Sequence, residues 1–234
     1  MQIGGLQKTS TIDYPGQLTA VLFTQGCNLR CPYCHNFGLI PFNEDNPELD
    51  EEKFFNFLEK RKGILDAVTI TGGEPTMQPD LIPFIEKIKE MDYLVKLDTN
   101  GLKPMVLMDL IKKDLLDYIA MDVKLPIEDY EEMKTQQKLE DTIENLKLSI
   151  NAIIKHSKCD YEFRTTIVPG LHNKSNFERI VKEISEAKSY YVQNFRPDRT
   201  LNKSFENKRR FTEDELEEFK EIAEKYVENV HVRN

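Results

Sequence analysis

The chain has 234 residues, 39% hydrophobic and 31% charged, with no Trp, four cysteines and a formal net charge of −9. No apolar run approaches the roughly 20 residues a bilayer span requires, and the acidic balance disfavours broad nucleic-acid binding, which needs a basic surface to neutralise phosphates. The opening Met1-Gln2-Ile3-Gly4-Gly5 lacks the basic and apolar regions of a secretory leader, so a cytoplasmic protein with no membrane partner is expected.

Apolar, β-branched stretches alternate with amphipathic ones along the whole chain. The first predicted strand is 18–24, followed by a helix over 50–61; strand 67–71 precedes helix 79–91, and strand 94–98 precedes helix 104–113. Strand 118–123 leads to helix 139–156, strand 161–168 to helix 175–187, and strand 191–195 to helix 212–227, with a short last strand at 229–232. Thr212 before the last helix, with Glu215 three residues on, has the pattern of a capping box. Six β-then-α units imply parallel strands joined by right-handed crossovers. Six fall short of the eight of a closed barrel, so the expected α/β fold is a partial (β/α)6 TIM-like barrel, with a doubly wound open sheet as the alternative. No repeat, low-complexity segment or linker appears. One domain over 1–234 is expected, with a core at about 15–198 and a C-terminal helix at about 212–228.

The predicted strands end in unusual residues: Thr24-Gln25-Gly26-Cys27, Thr71-Gly72-Gly73-Glu74-Pro75, Asp98-Thr99-Asn100-Gly101, Asp122-Val123-Lys124, Val168-Pro169-Gly170 and Phe195-Arg196-Pro197. Carboxyl ends of parallel strands form the active-site face of α/β folds. Turn chemistry accounts for the glycines and prolines. It does not account for three clustered cysteines, or for Asp98, Asp122 and Lys124 at the ends of apolar strands.

Cys27, Cys31 and Cys34 fall within eight residues as C-x3-C-x2-C, with Tyr33 just before the third. Three thiolates on one loop can hold three irons of a cubic cluster and leave the fourth open. Two other readings stand beside this one. A structural zinc would use the three cysteines with His35 or Cys159, although structural zinc usually pairs two separated hooks. A redox C-x2-C pair would use Cys31 and Cys34 and leave Cys27 idle. Cys159, alone at the head of an apolar stretch, reads as a buried small hydrophobe.

The cysteine triad with Tyr33, followed by Gly72-Gly73-Glu74-Pro75, resembles the radical S-adenosylmethionine enzymes. Ile12-Asp13-Tyr14-Pro15-Gly16, Phe23-Thr24-Gln25-Gly26-Cys27 and Cys34-His35-Asn36 resemble the anaerobic ribonucleoside-triphosphate reductase activating proteins. Leu97-Asp98-Thr99-Asn100-Gly101, Met121-Asp122-Val123-Lys124 and Val168-Pro169-Gly170 resemble pyruvate formate-lyase activating enzyme as well. The resemblance runs from about Gly5 to about Asp198. It implies an oxidoreductase that cleaves S-adenosylmethionine at one [4Fe–4S] cluster held by Cys27, Cys31 and Cys34, and generates a glycyl radical on a partner enzyme. The resemblance favours anaerobic ribonucleoside-triphosphate reductase as that partner, with pyruvate formate-lyase or a small molecule as alternatives and a zinc-stabilised binding module as the non-enzymatic rival. Flavodoxin or ferredoxin is the implied electron donor. With no second cysteine cluster, no auxiliary cluster is expected.

The same resemblance places Tyr33 against the adenine, Gly72 and Gly73 beside the methionyl amino group, and Glu74 in support of that loop. It places Lys124 and Arg164 at the ligand's carboxylate or ribose. Asp98, Thr99 and Asp122 match positions that surround a monovalent cation in the pyruvate formate-lyase relative. No side chain is implied as acid or base, so none is assigned as catalytic. Each has a simpler reading: Asp98 and Asp122 as helix caps, Arg164 as an outward strand residue, Lys124 as solvated surface, and His172 as a loop residue rather than a ligand. The segment 196–210 carries six basic and two acidic residues, and is read either as a docking surface for an acidic partner or as a solvated linker.

Overall fold

The computed structural model describes residues 1–42 and 50–234. Its frame is one eight-stranded sheet whose strands lie side by side in chain order. β1 (Ile3–Ser10) runs antiparallel to β2 (Thr19–Thr24). From there every pairing is parallel, through β3 (Ala67–Gly72), β4 (Leu94–Thr99), β5 (Tyr118–Asp122), β6 (Asp160–Ile167), β7 (Ser189–Asn194) and β8 (Asn229–Arg233). α1 (Glu51–Glu59), α2 (Leu81–Glu90), α3 (Pro104–Lys112), α4 (Leu139–His156), α5 (Lys174–Glu183) and α6 (Glu213–Ala223) fill the six crossovers. β1 and β8 are not paired with each other, so the barrel is open, and β2 to β7 with their helices are the six expected units.

Strand parity organises the interior. On one face of the sheet, Leu22, Ile70, Leu97, Ile119 and Tyr161 lie in register, as do Met121, Phe163, Tyr190 and Val230. These side chains are buried in the core with apolar residues of the helices, among them Phe54, Phe84, Leu107, Ile153, Phe177 and Phe219. The opposite, concave face carries Thr69, Lys96 and Tyr118 in one row, Asp98, Ala120 and Glu162 in the next, and Asp122, Arg164 and Tyr191 in a third. Because side chains alternate with period two, each strand presents an apolar row to the helices and a polar row to the hollow of the barrel. Tyr14, from the β1–β2 connection, closes the hollow near the start of β5 by packing on Tyr118 with 5.5 Å between ring centroids.

Two segments depart from the expected elements. β1 was not anticipated, because Gly4, Gly5 and a run of exposed polar residues give an edge strand no alternation to read. Ile127–Met133 forms a 3-10 helix that buries Ile127, Tyr130 and Met133. α4 has the expected ends and α3 the expected start, while the other helix ends lie one to four residues from expectation. Asp50 accepts a hydrogen bond from the Lys53 N–H at 2.7 Å, and α2 starts after Pro79 rather than at it. α6 opens with the anticipated capping box: Thr212 accepts from the Glu215 N–H at 3.3 Å, and the Glu215 carboxylate accepts from the Thr212 N–H at 2.9 Å. Thr212→Ala removes one side of this exchange. It should lower stability to urea by about 1 kcal/mol without changing secondary-structure content by circular dichroism.

Candidate functional site

A cavity of about 810 Å³ lies over the carboxyl ends of the parallel strands, and all twelve residues singled out from the sequence border it. The cysteine loop forms one wall and is anchored from several directions. Gly26 and Cys27 donate their N–H groups to Leu39 O and Ile40 O, at 2.7 and 3.1 Å. Arg30 folds its guanidinium back onto Cys27 O at 2.7 Å and Leu29 O at 2.9 Å. Its own N–H reaches Met133 O at 2.9 Å, in the 3-10 segment beyond β5. The 196–210 segment crosses the loop from outside: Leu201 N–H donates to Cys34 O at 3.0 Å and Asn202 N–H to Pro32 O at 2.9 Å.

Glycine permits the closest approach. Gly72 has φ of +111°, in the region that favours glycine. A Cβ on Gly73 would stand 2.1 Å from the Gly26 carbonyl oxygen. The two loops thus meet backbone to backbone, with Gly73 N–H on Thr24 O at 2.9 Å and Glu74 N–H on Gly26 O at 2.8 Å. The Glu74 side chain turns away from the opening and is 1% exposed. It accepts hydrogen bonds from the Thr76 N–H and hydroxyl, from the Thr99 hydroxyl at 2.7 Å and from the Asn100 N–H at 2.7 Å. Burial raises its carboxyl above the ordinary value, against the pull of these donors. Asn100 in turn donates to the Asn28 side chain at 2.8 Å, so this hub joins the loops after β2, β3 and β4.

The floor of the cavity is a chain of buried charges. The Arg164 guanidinium spans Asp98 Oδ2, at 3.1 Å, and Asp122 Oδ1. Lys96 Nζ meets Asp98 Oδ1, and Lys124 Nζ meets Asp122 Oδ2 at 3.1 Å. In the same row as Asp98, Glu162 is gripped by Arg233 at 2.8 and 2.9 Å and accepts from the Tyr118 hydroxyl at 2.8 Å. Burial opposes ionisation of Asp98 and Asp122, but Arg164 followed by the neighbouring lysines outweighs it, and both carboxyls sit below their ordinary values. Four cations and three carboxylates interlock in this way, and Asp13, Glu74 and Arg196 also border the cavity. Arg164 therefore projects inward, and neither Asp98 nor Asp122 caps a helix. Lys96, Glu162 and Arg233 were not anticipated, although Lys96 and Glu162 share the strand parity of Asp98 and Arg164.

His172 is a loop residue, as expected, but it is 4% exposed and acts as a strut. Its Nδ1 accepts from the Val168 N–H at 2.9 Å and its Nε2 donates to Lys124 O at 2.9 Å, while the Tyr130 hydroxyl accepts from the Lys124 N–H at 2.8 Å. These contacts fix the backbone that carries Lys124.

The thiols bear on the metal alternatives. Burial pushes Cys27 up to about 11 and Cys31 up to about 12, and raises Cys34, against the pull of Lys124. A redox C-x2-C pair would use Cys31 and Cys34 and leave Cys27, which borders the same cavity, without a part. Among the described residues no three His, Cys, Asp or Glu side chains converge on one ion, as a tetrahedral zinc requires. His35 is turned away, stacked on Phe195 with 6.1 Å between centroids and bonded through Nε2 to Arg196 O. Cys159 lies at the opposite, starting end of β6. Three soft thiolate donors from one loop, all bordering one cavity, suit a cluster in which each binds a different iron.

The profile of the radical SAM superfamily matches residues 21–184. The chain belongs to the radical SAM superfamily. A Methanocaldococcus jannaschii protein, named as a candidate glycyl-radical enzyme activating enzyme, is 37% identical over 232 residues, 99% of this chain and 95% of that one. This likeness continues past Asp198 and through α6, beyond the motifs legible in the sequence. The pyruvate formate-lyase-activating enzyme of Staphylococcus aureus is 31% identical over 185 residues, 77% of this chain. The aligned part spans 63% of that enzyme's length, under two thirds. Streptococcus suis SuiB, solved with S-adenosylmethionine bound, shares the fold, with a TM-score of 0.61 at 15% identity over 92% of this chain and 52% of SuiB. Membership implies a [4Fe–4S] cluster and S-adenosylmethionine. No helix among the described residues is long and apolar enough to cross a membrane.

His172 gives the site a pH signature. Burial lowers it from 6.5 to about 4, although its two hydrogen bonds pull the other way. Between those values the unfolded chain binds a proton that the folded chain refuses. The strut's contribution is therefore complete above about pH 6.5 and is lost as pH falls toward 4, by about 3 kcal/mol. His172→Gln, which keeps an amide donor for Lys124 O, should flatten the stability profile between pH 7 and pH 4 by that amount in urea titrations. An unchanged slope would contradict the assignment.

Proposed function

We propose that this chain is the activating enzyme of a glycyl-radical enzyme. Cys27, Cys31 and Cys34 hold the [4Fe–4S] cluster, and S-adenosylmethionine lies between the cluster and the charged floor. The observation that carries this reading is the presence, in one cavity, of three cysteines free of disulfides and a floor that holds the cations Lys124 and Arg164 in fixed places. Gly72 and Gly73 border the cavity, and their lack of side chains lets this loop close onto Thr24 and Gly26 beside the expected place of the ligand's amino group. Lys124 and Arg164 face its carboxylate or ribose with fixed cations. The Tyr33 ring packs edge-on against Phe195, at 6.5 Å between centroids, which leaves its backbone to meet the adenine. Ile12 and Asp13, from the activase-like motif between β1 and β2, border the same cavity.

When bound, the cluster supplies the electron that cleaves the carbon–sulfur bond of S-adenosylmethionine, after which hydrogen is taken from a partner glycine. The chain positions the ligand and keeps water out; none of its side chains donates or removes a proton. Anaerobic ribonucleoside-triphosphate reductase is the first candidate partner and pyruvate formate-lyase the second, with a flavodoxin or ferredoxin as electron donor and the cytoplasm as the setting. Within the basic segment, Arg209 is committed to Glu215 at 2.6 and 2.7 Å. Arg199, over the Phe37 ring at 5.2 Å, and Lys203 remain exposed beside the cysteine loop, and we assign docking of an acidic partner surface to them.

The reduced, cluster-loaded protein should release 5′-deoxyadenosine from S-adenosylmethionine. The double variant Arg199→Glu/Lys203→Glu should raise the apparent KM for the glycyl-radical partner by about tenfold, the equivalent of about 1.4 kcal/mol, while partner-free cleavage is unchanged. No 5′-deoxyadenosine from intact cluster-loaded protein would refute the activity. An unchanged KM would refute the docking surface.

A further inference from the structure

The carboxylate oxygens that the family resemblance assigns to a monovalent cation are already occupied by the protein's own cations, and the assigned hydroxyl is committed to other partners. Asp98 Oδ1 meets Lys96 Nζ, and its Oδ2 meets Arg164 at 3.1 Å. Asp122 Oδ1 meets Arg164, and its Oδ2 meets Lys124 at 3.1 Å. The Thr99 hydroxyl donates to Glu74 at 2.7 Å and accepts from the Gly101 N–H at 3.1 Å. A hard cation needs several oxygens turned toward it, and here those oxygens face nitrogen donors. The residues present do not fit the ion.

Lys96 is the residue that changes the balance. It lies two positions before Asp98 on β4, so strand parity sends both side chains into the hollow. The Lys96 side chain is 3% exposed, and its ammonium also lies 5.9 Å from the centre of the Tyr118 ring. A lysine this deeply buried is rare unless paired, and its pairing to Asp98 delivers one unit of positive charge at a fixed place. An ion supplying that charge would have to be drawn from solvent and would dissociate; a tethered ammonium does neither.

We propose that the Lys96 ammonium is a built-in replacement for a monovalent cation, neutralising Asp98 so that the floor of the site binds S-adenosylmethionine independently of sodium or potassium. This rests on the reading of the cavity as an S-adenosylmethionine site. Arg164 remains free to span both aspartates.

The test exchanges choline chloride for sodium or potassium chloride at constant ionic strength and compares the parent protein with Lys96→Met. Two properties are read: equilibrium binding of S-adenosylmethionine to the cluster-loaded protein, and melting temperature of the cluster-free protein. The parent should show no ion-specific change in either. Lys96→Met should bind about tenfold more weakly in choline, as expected for a buried carboxylate deprived of a partner, and should recover most of that loss in sodium or potassium. Its cluster-free melting temperature should rise saturably with the same ion. If Lys96→Met does not fold, Lys96→Gln, which keeps a neutral donor for Asp98, takes its place. A saturable sodium or potassium response in the parent overturns the proposal, and so does a folded variant indifferent to both ions. Absence of S-adenosylmethionine binding by the parent in every salt would defeat the site reading alone, because the melting measurement still decides the role of Lys96.

Discussion

One guanidinium holds the site together. Arg164 on β6 spans Asp98 on β4 and Asp122 on β5, so that three neighbouring strands share one charge-assisted bridge inside the barrel. Such a bridge is costly, because each ion gives up water, and the cost is offset only when every partner is satisfied. Here Lys96 and Lys124 complete the two carboxylates, while Arg233 and Tyr118 complete Glu162, which shares a row with Asp98. A one-residue slip in any of these parallel pairings would send the charges into the apolar layer and the apolar row into the hollow. Register and electrostatics therefore enforce each other. The network places fixed cations, already desolvated and oriented, where an anionic ligand group would arrive.

Above that floor the cysteine loop is held as tightly as a loop can be. It has no regular structure of its own, yet it is bonded to the loops after β3, β4 and β5 and to the segment after β7. The approach of Gly73 to Gly26 O leaves no room for a side chain, and Glu74 gathers donors from its own turn and from the end of β4. These contacts fix where the three thiols stand before any metal arrives. The 196–210 segment, rather than being a solvated linker, is part of this support through Leu201 and Asn202.

Much of this was legible because the informative residues break a local pattern. Asp98, Asp122, Lys124 and Arg164 are charges set in otherwise apolar strands, at or near the carboxyl ends where α/β sites form. The cysteine spacing has few other physical explanations. Lys96 and Glu162 break the same pattern at the same parity, but lie a turn of the pleat further from the strand ends, and only the register of neighbouring strands shows what they meet. Arg233 reaches the interior because β8 joins the sheet beside β7, a pairing that its own short sequence does not announce. His172 looks like any loop residue, since its burial comes from packing against the β5 end. β1 was illegible because two glycines and exposed polar residues carry neither period.

The central claim is that three cysteines on one loop, standing over a floor of fixed charges, hold a cubic iron–sulfur cluster. Metal and sulfide analysis of protein purified and reconstituted without oxygen tests it most directly. The account predicts about four irons and four sulfides per chain, lost together in Cys31→Ala. About one zinc per chain with negligible iron would contradict it.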